Sequence, residues 1–87
     1  MNDETVFEFP TDFPIKVMGK NSPKFLGVVT NLISEYAEFD SKHDVYSNKS
    51  KNGTFISITV TFLATSREQV DTIYQILQNH EDIMIVF

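Results

Sequence analysis

Residues 53–64 read Gly-Thr-Phe-Ile-Ser-Ile-Thr-Val-Thr-Phe-Leu-Ala. Ile56, Ile58, Val60 and Phe62 alternate with Ser57, Thr59 and Thr61. Successive side chains on a strand point to opposite faces, so this period of two predicts a strand over 54–64 with one dry and one wet face. The dry face needs a cover of other apolar residues, and the rest of the chain supplies it. Just upstream, Asn52-Gly53 is a hairpin signal. The polar stretch KHDVYSNKS, residues 42–50, therefore predicts the partner strand, and its lysines suit an exposed sheet edge.

Two amphipathic segments flank this hairpin. In TSREQVDTIYQILQNH, residues 65–80, Val70, Ile73, Tyr74 and Leu77 recur at helical spacing. Ser66 and Gln69 form a capping-box pair, and Asn79 suits a left-handed C-terminal turn. In NSPKFLGVVTNLISEYAEF, residues 21–39, Ser22 is the expected cap and Pro23 the expected first helical residue. Its inward stripe is Phe25, Val28 or Val29, Leu32 and Tyr36, widened by Leu26 and Ile33. Gly27 interrupts this helix at a cost of about 1 kcal/mol relative to Ala. Close packing against another backbone would explain it, and so would accident.

The remaining strands lie at the two ends. DFPIKVMG, residues 12–19, places Phe13, Ile15 and Val17 on one face and Pro14, Lys16 and Met18 on the other. Pro14 has no N–H, so it belongs near the strand's start or at an unpaired position. DIMIVF, residues 82–87, is a continuous apolar strand. Residues 1–11 read as an N-terminal arm and residues 12–87 as one domain. The order β-α-β-β-α-β predicts an α+β, ferredoxin-like plan: a four-stranded antiparallel sheet ordered 4-1-3-2, with two helices on one face.

The chain has 87 residues, 41% of them hydrophobic and eight of them Phe, with three Gly and three Pro. That supports a genuine core in a domain that buries only about 60–65% of its unfolded surface. There is no Cys, which excludes disulfides, thiolate nucleophiles and Cys-based zinc sites. The acidic N-terminus MNDETVFEFP lacks the basic and apolar regions of a signal peptide, and no apolar run reaches a membrane span. A cytoplasmic protein with no membrane contact is expected. The net charge of −5 disfavours phosphate-backbone binding. Lys42, His43, Lys49 and Lys51 cluster around the hairpin, where solvation explains them.

Three stretches carry a resemblance. FPTDFPIKVMG at 9–19, NGTFISITVTFLATSREQVDTIYQIL at 52–77 and the apolar last strand resemble the YbeD family of small bacterial proteins. The most specific parts are Lys16-Val17-Met18-Gly19 and the run from Ser57 to Tyr74. The resemblance covers nearly the whole chain. It implies the same βαββαβ plan, similar to ACT-type regulatory domains, and no established activity; a link to lipoate metabolism has been suggested for the family.

Chemistry-bearing residues are sparse. His43 and His80 are the two histidines. Their spacing from Asp44, Glu81 and Asp82 suggests no convergence on a metal, and His80 at a helix C-terminus is favoured by the helix dipole. No hydroxyl has a histidine partner in a recognisable arrangement, and no cofactor is implied. The first strand-to-helix turn, Gly19, Lys20, Asn21 and Ser22, resembles the ligand turn of ACT domains, which often reads Asp-x-Pro-Gly. Lys24 stands here where those domains have Gly, so a ligand meets more obstruction. An RNA-recognition surface would need aromatics on the central strands, and KNGTFISI supplies Phe55 without the expected Gly-aromatic pair.

The sequence therefore predicts a non-enzymatic regulatory or protein-interaction domain. Its contacts would come from Lys16, Met18, Phe55, Ser57, Thr59 and Thr61 on the open sheet face, with Met84 and Val86 on the last strand. The apolar last strand, expected at an edge, is covered either by Phe7 or Phe9 of the arm or by another chain, a partner or a second copy. The alternative is a small-molecule effector domain holding a carboxylate at Gly19–Ser22, and RNA binding is third.

Overall fold

A computed structural model of the chain describes residues 8–87. The elements are β1 (Thr11–Lys20), α1 (Phe25–Ser34), β2 (Val45–Lys49), β3 (Phe55–Ala64), α2 (Arg67–Gln78) and β4 (Ile83–Val86). The strands form one antiparallel sheet in the order β2-β3-β1-β4, the expected order read from the other edge. The expected arm falls mostly on residues outside those described. Thr11 belongs to the sheet, paired with Ala64, Phe9 packs against the core, and Phe7 lies outside the described residues.

The period-two reading of β3 holds along its length. Ile56, Ile58, Val60, Phe62 and Ala64 are buried. Opposite them in register stand Ile15 and Val17 of β1, paired with Val60 and Ile58. Phe25, Val29 and Ile33 of α1 and Val70, Ile73 and Leu77 of α2 complete the cluster. Each fully buried large side chain contributes about 1.5–3 kcal/mol, so this single layer between sheet and helices is the main source of stability. Phe13 extends it, its ring tilted on Phe62 at 5.7 Å and edge-on to Tyr74 at 6.4 Å.

Helix α2 starts as the capping pair predicts: Gln69 N–H donates to Ser66 Oγ at 3.1 Å. The return bond differs. Gln69 Oε1 accepts from Thr65 N–H, and its Nε2 donates to the Tyr36 carbonyl, tying α2 to the α1–β2 connection. Asn79 closes the helix in right-handed geometry (φ −86°), not the left-handed turn expected of it.

Helix α1 departs further. Its N-cap is Lys24 with no side-chain cap, and Ser22 instead offers its carbonyl to Phe25 N–H at 3.2 Å. Pro23 therefore serves a turn before the helix, a role its fixed φ also suits. The helix stops at Ser34 because the chain must return to the sheet, where the Glu38 carbonyl accepts from Leu63 N–H. Tyr36 consequently lies beyond the helix and is exposed, as is Leu26.

Pro14 sits where it does least harm. Lys16 exchanges both backbone hydrogen bonds with Phe87, so alternation aims the position-14 nitrogen the same way, past the end of β4 where no strand pairs. The β1–β4 register slips by one between Met18 and Gly19: Met18 faces Ile85, Gly19 faces Ile83, and Met84 has no opposite number. This bulge lies beside a glycine with no spare room. A Cβ on Gly19 would collide with the Phe25 ring and the Asp82 carbonyl oxygen. Gly27 is the reverse case, with nothing within 4 Å of the added carbon, so no backbone packing accounts for it.

These two glycines give opposite expectations in urea unfolding. Gly19→Ala should destabilise by about 3 kcal/mol through overpacking against backbone. Gly27→Ala, near the helix start, should stabilise by about 0.5 kcal/mol. Equal effects at the two sites would contradict the packing described.

Candidate functional site: the open sheet face and the outer edge

The helices cover one face of the sheet, and no element of the described residues covers the opposite face. Register aligns its side chains in ranks. Phe87, Lys16, Thr59 and Tyr46 form one rank across four chain segments, and Ile85, Met18, Ser57 and Asn48 form the next. Lys20 stands opposite Phe55 at the hairpin end, and Asp12 opposite Leu63 at the other. Lys16, Met18, Phe55, Ser57, Thr59 and Thr61 thus share one face, as the alternation predicts.

Access differs within that set. Ser57 is only 9% exposed and donates to the Asn48 carbonyl at 3.3 Å, so it is closed in by its neighbours rather than offered to a partner. Thr59 and Thr61 are half-buried. Lys16, Met18, Asn48 and Phe55 instead line a shallow depression of about 200 Å³ around Ser57. Lys16 Nζ lies 5.5 Å from the Phe87 ring centre, a cation–π contact that crosses from β1 to the end of the chain.

Two of the last-strand residues expected here belong elsewhere. Val86 pairs with buried Val17 and packs against the core, so it is on the helix side. Met84 occupies the bulge and borders the hollow beside α1. The exposed apolar positions in line with Lys16 and Met18 are Phe87 and Ile85, which the unbroken alternation missed. Tyr46 and Asn48 were missed as well. Counting back from the Asn52-Gly53 turn would have found them, since they pair with Thr59 and Ser57. Among large apolar side chains, Tyr46 is 66% exposed, Met84 55%, Phe87 51% and Ile85 44%.

The β1–α1 turn is a pinned connection. Gly19 is buried within β1 and so is not part of an exposed loop. Asn21 donates from its backbone to the Thr54 carbonyl at 2.9 Å and from Nδ2 to the Gly53 carbonyl at 3.0 Å, fastening the turn to the hairpin. Gly53 itself takes the left-handed φ of +73° that the hairpin requires. Beside α1, a hollow of about 460 Å³ is bordered by Lys20, Ser22, Lys24, Phe25, Glu81, Asp82 and Met84. Lys24 already pairs with Asp82 at 3.5 Å. The two acids lower the appeal of this hollow for an anion.

The histidines are apart in role. His43 Nδ1 bonds Asp40 Oδ2 at 3.0 Å within the 40–44 loop, while His80 Nδ1 accepts from the Asp82 N–H at 3.1 Å. Among the described residues no group of three or more potential ligands gathers around a point. Asp40 also accepts from the backbone of Lys42 and His43, and Asp44 accepts from Asp40 N–H at 2.7 Å. The His43 side chain, and then the Lys42 N–H, hold the Asp40 carboxyl below its ordinary range. No described helix is long and apolar enough to cross a membrane.

Comparison with known proteins agrees with this architecture. Residues 4–87 match the family described as "Protein of unknown function (DUF493)". The UPF0250 protein of Paraburkholderia phytofirmans is 39% identical over 84 residues, 97% of this chain and 94% of the relative. That of Chromobacterium violaceum is 39% identical over 88 residues, covering 99% of each. The chain belongs to this UPF0250 family, the YbeD-like group its sequence resembles. The solution structure of HP0495 from H. pylori superposes with a TM-score of 0.77 at 16% identity, over 97% of this chain and 88% of that one. The ACT domain from GTP pyrophosphokinase of Chlorobium tepidum gives 0.68 at 15% identity, over 88% and 97%. Both likenesses speak to the fold, which is the ACT-like form of the ferredoxin-like plan.

The 40–44 loop yields a titration test. Asp40 has a lowered folded pKa, so its contribution is present above the unfolded carboxyl value of about 3.9 and is lost as pH falls through the folded value. Carboxyl-carbon NMR should show Asp40 titrating below the ordinary aspartate value, and His43→Ala should move it back up. An Asp40 midpoint unchanged by His43→Ala would contradict the assigned cause.

Proposed function

We propose that this protein is a small, non-catalytic interaction module of the cytoplasm that binds another protein chain through its open sheet face and β4. One observation carries the reading. The outer edge exposes Met84, Ile85 and Phe87 by 55%, 44% and 51% in a run without a charge. Edges exposed to water in monomers usually carry lysine, proline or a covering segment against stray pairing. The other edge, β2, does: its exposed residues are Tyr46, Ser47, Asn48 and Lys49. An apolar edge continuous with Met18 and Phe55 suits a surface that is covered when the protein acts. The absence of catalysis is supported by the histidines, each bonded to loop groups rather than to a hydroxyl nucleophile.

A second reading is supported by the hollow beside α1, where Lys20 and Lys24, Glu81 and Asp82, and Phe25 and Met84 offer both charges and an apolar wall. A zwitterionic metabolite fits that mixture better than a simple carboxylate does. Against it stand the Lys24–Asp82 pair and the pinned turn.

Ile85→Glu discriminates between these surfaces. Its partner proteins, captured from lysate on the immobilised chain, should fall at least about tenfold relative to wild type with the circular dichroism unchanged, as expected for losing a buried apolar anchor. Capture indifferent to the substitution would sink the proposal. Sedimentation in the high-micromolar range then shows whether the partner is a second copy. For the second reading, amino and keto acids should raise Tm in a wild-type but not a Lys24→Ala protein; no shift with any of them ends it.

A further inference from the structure

Charge is spread unevenly over the open sheet face. Of its acidic side chains, Glu35, Glu38 and Asp40 lie on the α1–β2 connection, Glu68 and Asp71 on α2, and Glu81 and Asp82 on the α2–β4 loop. On the open face the register places Lys16 and Lys20 among apolar side chains. Asp12, Asp44 and Glu38, the last in register with Leu63, stand toward the far end of that face, while Glu81 and Asp82 border the hollow beside α1 together with Lys20. Asp12 lies about 13 Å from Lys16 along β1, at ~3.3 Å per residue, well past the ~8 Å screening length of physiological salt. Asp44 sits beside Thr61 and has its carboxylate on Asp40 N–H. Neither Lys16 nor Lys20 forms an ion pair among the described residues, whereas Lys24 and Arg67 do. A chain of net charge −5 thus presents, at Lys16, a cation unpaired among the described residues and set among the apolar side chains of Met18, Ile85 and Phe87.

Among the described residues the edge next to that face has unpaired backbone groups. Phe87 turns its N–H and C=O inward to Lys16, at 2.8 and 3.0 Å. Alternation leaves the N–H and C=O of Val86 on the outer side, where no strand of the described residues faces them. A strand added there would project every second side chain over Ile85, Phe87 and Lys16.

We propose that the open face and the β4 edge bind an extended segment of a partner protein, one that carries carboxylates between apolar residues. This rests on the interaction reading above and names its partner's chemistry. Backbone pairing along β4 supplies affinity, the apolar residues cover Ile85, Phe87 and Met18, and a carboxylate reaches Lys16 in place of water. Lys16 is already steadied over the Phe87 ring, so less side-chain freedom is lost on pairing. Three observations favour polypeptide over RNA. The outward peptide groups of an edge strand match only another backbone. The central ranks offer Thr59 and a closed-in Ser57 where bases would need aromatic platforms. The summed charge repels phosphate at long range.

The test uses the full chain. Short random peptides displayed on phage are selected on the immobilised protein, and one selected peptide is titrated into isotope-labelled protein by NMR. Expected are sequences with Asp or Glu between apolar residues, shifts at Ile85, Phe87, Met18 and Lys16, and binding weakened roughly fivefold to tenfold by Lys16→Glu, less by Lys16→Gln. Peptides that bind this face without acidic preference, or that ignore Lys16→Glu, overturn the proposal and leave the interaction reading standing. Peptides that bind only elsewhere, or none selected at all, overturn both. Two controls also count against it. Shifts of these residues with protein concentration alone assign the face to a second copy. Stronger shifts with single-stranded oligouridylate assign it to nucleic acid.

Discussion

Of the three glycines, Gly19 is the one whose surroundings leave no room for a Cβ. An α-carbon without a side chain lets the Phe25 ring and the Asp82 carbonyl oxygen close on β1 from two elements at once. Phe25 is the first residue of α1 and 1% exposed, so this contact fixes where that helix begins and how near it lies to the sheet. Asp82 is the residue before β4, so the same contact fixes where the last strand enters. The β1–β4 register slips at this point, and everything beyond it on β4 changes face relative to an unbroken alternation. A single methyl group's worth of space therefore links helix placement, strand entry and the identity of the residues on the outer surface.

That dependence explains what could be read from the sequence. β3 was legible because its two faces see such different surroundings that the pattern is nearly pure. Helix α2 was legible from Ser66 and Gln69, whose backbone bond forms as expected. What escaped reading depended on contacts distant in sequence. Ser22 looks like a cap by local rules, yet the position of Phe25 against Gly19 places the helix start beyond it. Val86 looks like a surface residue by counting from Ile83, yet the bulge at Met84 turns it to the core. Ser57 has the right parity for the open face, but its exposure is set by Asn48, on another strand. Parity is local, whereas exposure and register breaks are tertiary.

The two edges of the sheet show the same division of labour. β2 ends the sheet with hydroxyl, amide and ammonium groups that keep water attached. β4 and the Phe87 that follows it end it with isoleucine, methionine, valine and phenylalanine, and β4 is short, four residues against ten in β1. Shortness alone limits accidental pairing, and Pro14 denies β1 a donor along the stretch that β4 leaves uncovered. Together they confine productive pairing to a brief segment beside Lys16, so an added strand has one register that serves its backbone and side chains alike.

Net charge is a poor guide to such a surface. A total of −5 governs the field far from the molecule, where the individual positions blur. Within a screening length only the nearest groups count. On the open face Lys16 stands apart from the carboxylates: Asp12 is four residues away along β1, Asp44 is already bonded, and Glu81 and Asp82 border the hollow that Lys20 shares. Overall acidity then lowers the encounter rate with other acidic molecules, while the lysine end of the sheet favours those that present a carboxylate in the right place once they arrive. The arrangement trades speed of association for selectivity at contact, which suits a domain whose apolar edge would otherwise pair with any exposed strand.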